Sequence, residues 1–270
     1  MPQILIGTSG YDHPELKGSF YPLDLPRKDF LLYYSTKFSA LEINSTFYGM
    51  PDAVRMNSFF QRSEGRVMFS VKLNRLMTHE ITGNWKNAAG EFRNAMCPLI
   101  EKNVLSVILM QFPESFQYTA ENRFYLSALL KEFEGFPAVV EFRHASWIKE
   151  SVFEGLAMRK AGIVFCDMPQ LKNLPDGFSK GTPFIGPEAY IRLHGRNQNG
   201  WYAGGGNSSK ETVRYDYEYS EKELCSFIPV INKAFMEGRR VHMYFNNHPK
   251  GTGFKNALEM KALAEELLVT

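Results

Sequence analysis

Apolar runs of strand length return along the whole chain, and most of the intervals between them are long enough for a helix rather than a hairpin turn. The runs are Ile4 to Ile6, Ala40 to Asn44, Val67 to Leu73, Ser106 to Pro113, Ala138 to Arg143, Ile163 to Pro169, Ala189 to Gly195 and Arg240 to Asn247. Between them, helical spacing appears at Phe30, Tyr33, Tyr34 and Phe38, and over Val54 to Gln61 and Ala88 to Lys102. It returns at Leu126, Leu129, Leu130 and Phe133, and over Glu150 to Lys160, which Gly162 is expected to close. Leu224 to Phe235 predicts a helix kinked or started near Pro229, and Ala257 to Leu267 a closing one. Gln170 to Glu188, rich in Gly and Pro, has no helical period, so the sixth unit is irregular. Gly195 to Asn207 reads as a glycine-rich mobile loop.

Eight strands, nearly all followed by helices, in 270 residues predict an α/β fold: one (β/α)8 TIM-barrel-like domain over residues 1–270. A doubly wound open sheet is the alternative. Polar residues decide between them, because period-2 alternation puts them at the carboxyl ends of their strands: Glu42 and Asn44, Lys72, Gln111, Glu141 and Arg143, Asp167, Arg192 and His194, Asn246. An open sheet gathers such groups at one switch point, whereas residues spread over seven of eight strands converge only when the sheet closes. Glu141 and Arg143, two apart after Val139 and Val140, share a strand face; buried, they need a partner or a ligand.

Composition narrows the partners. The formal charge is +2, from 31 basic and 29 acidic residues, so no overall basic field marks the chain as a nucleic-acid binder, and an anion must be held locally. Cys97, Cys166 and Cys225 show no CxxC spacing and suit reduced thiols. The amino terminus has no basic region leading into a long apolar stretch, and no run approaches the roughly 20 apolar residues of a membrane span. The expectation is a soluble, cytoplasmic protein with no membrane partner; the oligomeric state is left open.

Seven motifs then stand in one order: GTSGY at Gly7, EINSTFY at Glu42, KLNRLMTH at Lys72, QFP at Gln111, VEFRHASW at Val140, RLHG at Arg192 and YFNN at Tyr244. With them the chain resembles the YecE-like family, the domain of unknown function seventy-two, from about Ile6 to Ala257. The resemblance implies a TIM-barrel-like fold and brings no reaction, cofactor or catalytic residue with it. Family members often carry Trp where this chain has Tyr11, and Tyr202, Tyr215, Tyr217 and Tyr219 are all candidates for a family tyrosine near the seventh unit.

The strand ends supply the candidate chemistry. Glu141, Asp167, His194 and Glu42 are the candidate catalytic groups, carboxylates and imidazole suited to acid and base work. Lys72, Arg143, Arg192, Asn44, Tyr48, His79, Asn246 and Asn247 are the candidate ligand-binding set, with Arg143, Arg192 and Lys72 able to hold phosphate or carboxylate. The turn HPKGTGFKNAL after the last strand is either an anion site at a helix start or a plain loop with a helix cap at Thr252. Tyr11, Phe47, Tyr48, Trp147 and Trp201 are aromatics that can line a pocket. Glu42, Glu141, Asp167 and His194 are also ligand types for a divalent metal, but three cations compete for the same acids, so no residue is assigned to a metal. The expectation is an enzyme of hydrolase or lyase type acting on a phosphate-bearing ligand such as a nucleotide or nucleic acid. A non-catalytic anion or nucleic-acid binding protein is the alternative, and a purely structural ion network is the reading without a ligand.

Overall fold

The fold was analysed in a computed structural model, which describes residues 3–176, 183–202 and 213–267. Eight parallel strands close into a ring in sequence order: β1 Ile4–Ser9, β2 Ala40–Ile43, β3 Met68–Lys72, β4 Leu105–Gln111, β5 Ala138–Glu141, β6 Gly162–Asp167, β7 Glu188–Leu193 and β8 Arg240–Phe245. β8 pairs back onto β1, with Ile4 opposite Val241 and Thr8 opposite Phe245. The barrel expected from the strand-end pattern is the observed fold, and the open sheet is excluded.

Alternation along each strand divides the side chains into two layers. Leu41, Ile43, Phe69, Val71, Ile108, Met110 and Val140 face outward into the apolar shell shared with the helices. Leu5, Ala40, Val107, Leu109, Val139, Val164, Tyr190 and Tyr244 form a separate inner cluster that fills the ring. Near the middle of the ring the filling turns polar: Ser70 and Tyr244 share a 3.0 Å hydrogen bond. Above that level sit the charged strand ends.

Two seams shape the mouth. β1 and β2 approach so closely that a Cβ on Gly7 would lie 2.1 Å from the Ala40 carbonyl oxygen. The Tyr34 hydroxyl closes this seam, donating to Ala40 O at 2.8 Å and accepting from the Thr8 amide at 2.9 Å. β5 and β6, by contrast, pair only at Val139 with Gly162 and Val140 with Ile163, so Glu141 and the residues after it diverge from β6.

Several local expectations are corrected. Gly162 does not close the preceding helix, which spans Glu150–Met158; Lys160 turns the chain at a φ of 55°. Gly162 instead opens β6, where a Cβ would lie 2.9 Å from Val139 Cγ1 and 3.0 Å from the Glu188 carbonyl oxygen. Asn74, which strict alternation along Val67 to Leu73 would put on the face of Lys72, leaves the sheet and donates to the Thr46 carbonyl at 2.8 Å. Pro229 starts a helix, Ile228–Met236, as one of the two sequence readings had it. A short helix, Gln198–Trp201, forms inside the segment read as a glycine-rich loop; residues 203–207 of that segment, and 177–182 of the irregular sixth unit, lie outside the described residues.

Candidate functional site

Arg192 is the centre of the mouth. Its guanidinium is 2% exposed and spans the ring from β7, donating Nη2 to Glu42 Oε1 on β2 at 2.7 Å and Nη1 to Glu141 Oε2 on β5 at 2.6 Å. Arg143 pairs through Nε with the other oxygen of Glu141. Glu42 also accepts from Ser9 Oγ at 2.6 Å and from the Tyr190 hydroxyl at 2.8 Å. Two buried carboxylates and two buried guanidiniums thus neutralise one another with several hydrogen bonds per group, the condition under which buried charge is tolerated. Burial alone would push the Glu141 carboxyl up, but Arg143 and Arg192 outweigh it and hold the group well below the usual carboxylate range.

His194 extends the network. Arg143 Nη2 lies 2.9 Å from His194 Nε2. A guanidinium has only donors, so this nitrogen accepts and the ring is neutral with its proton on Nδ1. Burial, followed by the charges of Arg143 and Arg192, holds the His194 pKa far below its ordinary value, in agreement. The Asn246 amide lies between His194 Nδ1 at 3.0 Å and His248 Nε2 at 2.9 Å. The tautomer requires its oxygen to face His194 and its nitrogen His248, an assignment made from the hydrogen-bond network. Burial lowers the His248 pKa to about 3, so that ring is neutral too.

Lys72 stands apart. It extends from the end of β3 into the same mouth, with Nζ 4.1 Å from the centroid of the Phe47 ring. Among the described residues it forms no hydrogen bond and no ion pair, because Glu42 and Glu141 are engaged by the arginines. Burial, followed by the charge of Arg192, brings its pKa down to about 7.

A cleft of about 810 Å³ opens over this network and runs outward between the ends of β1 and β2. Glu42, Asn44, Tyr48, Lys72, Arg143, Arg192 and Asn246, all named from the sequence, line it. Five Lys or Arg residues and three Asp or Glu residues face the space, so its field is positive although the whole chain is nearly neutral. Asn44 Oδ1 and Arg192 Nε are buried without hydrogen-bond partners among the described residues.

Three candidates named from the sequence, Asp167, Asn247 and His79, stand outside the Arg192 network. Asp167 does not join Glu42 and Glu141: it shares strand parity with outward-facing Phe165, and binds Arg196 Nε at 2.9 Å and the Tyr219 hydroxyl at 2.7 Å. Cys166 takes the inward position instead, its thiol pKa raised by burial and then by Glu141. Asn247 is buried beside the barrel, donating to Tyr217 O at 2.8 Å and Asn256 Oδ1 at 3.1 Å, and does not line the cleft. His79 is exposed, its ring edge-on to Phe47 at 4.7 Å. Of the two readings of the turn before the last helix, Thr252–Leu267, the structure has a short 3-10 turn, Pro249–Gly251, in which Gly251 N donates to His248 O at 3.0 Å, while Gly253 N donates to Asn247 O at 2.8 Å.

Other groups escaped the sequence reading. Ser9 stands in GTSGY and Tyr190 lies on the same face as Arg192, so strand parity was the available signal for both. Arg55 and Arg62 sit on the helix Ala53–Arg62 and reach the cleft from outside the barrel, where strand alternation says nothing. Trp147 is packed between Phe116 and Phe142 and does not line the cleft. Glu141, Cys166 and His194 have ligand atoms within 4.8 Å of one another, but both Glu141 oxygens and His194 Nε2 already serve Arg143 and Arg192.

With this geometry in view, the family model described as protein of unknown function DUF72 matches residues 5–268. The chain belongs to the DUF72 family. The YecE-like likeness read from its motifs falls within that same family. Among its relatives, the UPF0759 protein YunF of Bacillus subtilis (strain 168) is 27% identical, with 97% of this chain and 95% of YunF covered. A DUF72 family protein from Thermotoga maritima has a solved structure with a TM-score of 0.85 at 32% identity, over 97% of this chain and 99% of that one. A DUF72 family protein from Enterococcus faecalis V583 gives 0.83 at 25%, over 97% and 96%. DUF72 membership fixes the architecture and leaves the chemistry to be argued from the cleft. No helix among the described residues is long and apolar enough to cross a membrane.

Proposed function

We propose that this DUF72 protein is an enzyme of hydrolase or lyase type that takes a phosphate-bearing small molecule into the mouth of its barrel. The observation that carries this reading is Lys72, a cation held inside the cleft with no carboxylate of its own. Arg143 offers a second donor, since its Nη1 has no partner among the described residues, and Arg55 and Arg62 line the outer cleft with no ion pair among those residues. Arginine forks and a lysine point charge on one concave wall suit an anion, and barrel enzymes work at this end of the strands.

Thermal melting in the presence of inorganic phosphate, sugar phosphates and mononucleotides tests the reading, with mass spectrometry of the same mixtures for turnover. The expected result is a melting temperature raised by at least one phosphate compound, an effect lost in Lys72→Gln. Stabilisation without turnover moves the protein to the alternative, a non-catalytic anion binder. Steep salt-dependent binding of DNA or RNA would make that anion a nucleic acid, for which exposed Arg55 at the cleft rim is the supporting feature. No stabilisation by any anion overturns the reading.

A further inference from the structure

Lys72 does not resemble a lysine kept only as an anchor. An anchoring lysine is better served by a nearby carboxylate and by water, which keep it protonated; here both carboxylates of the mouth are taken by arginines, and an aromatic face lies under the ammonium. The amine is therefore placed near the Arg192 and Arg143 guanidiniums, on a wall of a cleft large enough for a small molecule, with no hydrogen-bond acceptor for its proton among the described residues. Those are the conditions that free a lysine to act as a nucleophile.

We propose that Lys72 is a covalent catalytic nucleophile that captures the carbonyl carbon of an anionic aldehyde or ketone as an imine. The proposal rests on the anion-binding reading of the cleft and names its substrate class. In the step, the lone pair of neutral Nζ forms the C–N bond while the carbonyl π pair moves to oxygen, which takes up a proton. The carbinolamine then expels that oxygen as water. Overall an ammonium and a carbonyl give a protonated imine and one water, with charge conserved and no oxidant or reductant. Arg143 Nη1 is free to hold the substrate's anionic group while Asn44 Oδ1, a buried acceptor without a partner among the described residues, receives a hydroxyl. A depressed pKa of about 7 agrees with this geometry: near neutral pH about half of the Lys72 amines are unprotonated, against well under about 1% for an ordinary lysine.

The test uses the full chain with sodium cyanoborohydride and either pyruvate, a carboxylate-bearing ketone, or dihydroxyacetone phosphate, a phosphate-bearing one, followed by peptide mapping in a mass spectrometer. The expected result is one reduced adduct on Lys72, formed at least about tenfold faster than on any other lysine. It is absent in Lys72→Met and Lys72→Arg, whose folding is checked by melting temperature. Which ketone reacts tells whether carboxylate or phosphate is the recognised anion. Adducts spread evenly over exposed lysines, or none at Lys72 with either ketone, overturn the proposal. The same two ketones are run without reductant in the melting assay. Stabilisation without trapping overturns the imine and leaves anion binding standing, whereas trapping at Lys72 that excess inorganic phosphate does not slow supports the nucleophile and removes the phosphate reading.

Discussion

The barrel carries a buried ion cluster at each end, and the two are built to different standards of completion. At the amino-terminal end, Glu188 takes Arg240 through both oxygens, at 2.6 and 3.0 Å, and His242 Nε2 at 2.7 Å. His242 Nδ1 is met by Ser106 Oγ at 3.4 Å. Every charge there has its complement. At the mouth, two acids and two arginines likewise balance, but a third basic group, Lys72, is added with no ion pair among the described residues, and an open cleft stands over the group. A cluster that serves only to brace strands has no use for a surplus charge. That difference between the two ends is the ground on which the proposed anion binding stands.

The largest expected contrast comes from removing one acid at each end. Glu141→Ala leaves two buried guanidiniums without a shared partner and is expected to lower the unfolding free energy by about 3–5 kcal/mol; Glu188→Ala, whose Arg240 has a 30% exposed side chain, should lose about half of that. Urea titrations of both variants measure the difference, and equal losses would erase the distinction between the ends.

Lys72 should behave in the opposite sense. Its folded-state pKa lies below its unfolded one, so between about pH 7 and pH 10 the unfolded chain binds the extra proton, and stability rises with pH across that window. Lys72→Met is therefore expected to stabilise the protein by more than about 2 kcal/mol at pH 7, with the gain vanishing above about pH 10. The groups acting on this amine are Arg192, Glu141, Glu42 and Arg143. Denaturation of both proteins at the two pH values decides it, and a destabilised Lys72→Met at pH 7 would mean the ammonium has a partner after all.

Acid sharpens the comparison further. Glu141 is held below the ordinary carboxylate range mainly by Arg143 and Arg192, and Glu188 is lowered to about 2 by His242 and Arg240 against the effect of burial. Their stabilisation is complete above the ordinary glutamate pKa of about 4.3 and is lost as pH falls below it. Melting temperature followed from pH 5 down to pH 2 should drop less steeply in Glu188→Gln than in the parent chain. The smallest effect is expected from Arg55→Ala, whose exposed side chain makes its stability change less than about 0.5 kcal/mol, while the affinity for a phosphate compound falls.

How much of this was legible beforehand follows from period-2 alternation. It brought Glu42, Glu141, Arg192, His194 and Lys72 to one place because each extends a strand whose inward and outward faces differ sharply in the sequence. The same rule sets Asp167 outside the ring, because it shares parity with the outward residue Phe165, and standing at a strand end is not enough to bring it in. Pairing among the groups was not legible. That Arg192 and Arg143 occupy both acids while Lys72 stays free depends on cross-ring distances that no single strand encodes. Arg55 and Arg62 were hidden for another reason, since they approach from a helix whose register against the mouth is fixed by packing.

The bridge made by Arg192 also sets an order of events. Glu42 waits 150 residues, and Glu141 51 residues, for the guanidinium that neutralises them. A chain emerging from the ribosome through its sixth strand would carry both acids with no partner from β7, and sealing them inside an apolar ring at that stage would be strongly unfavourable. The polar centre of the barrel is therefore a closing clasp, which can be completed only once β7 has brought Arg192 into place.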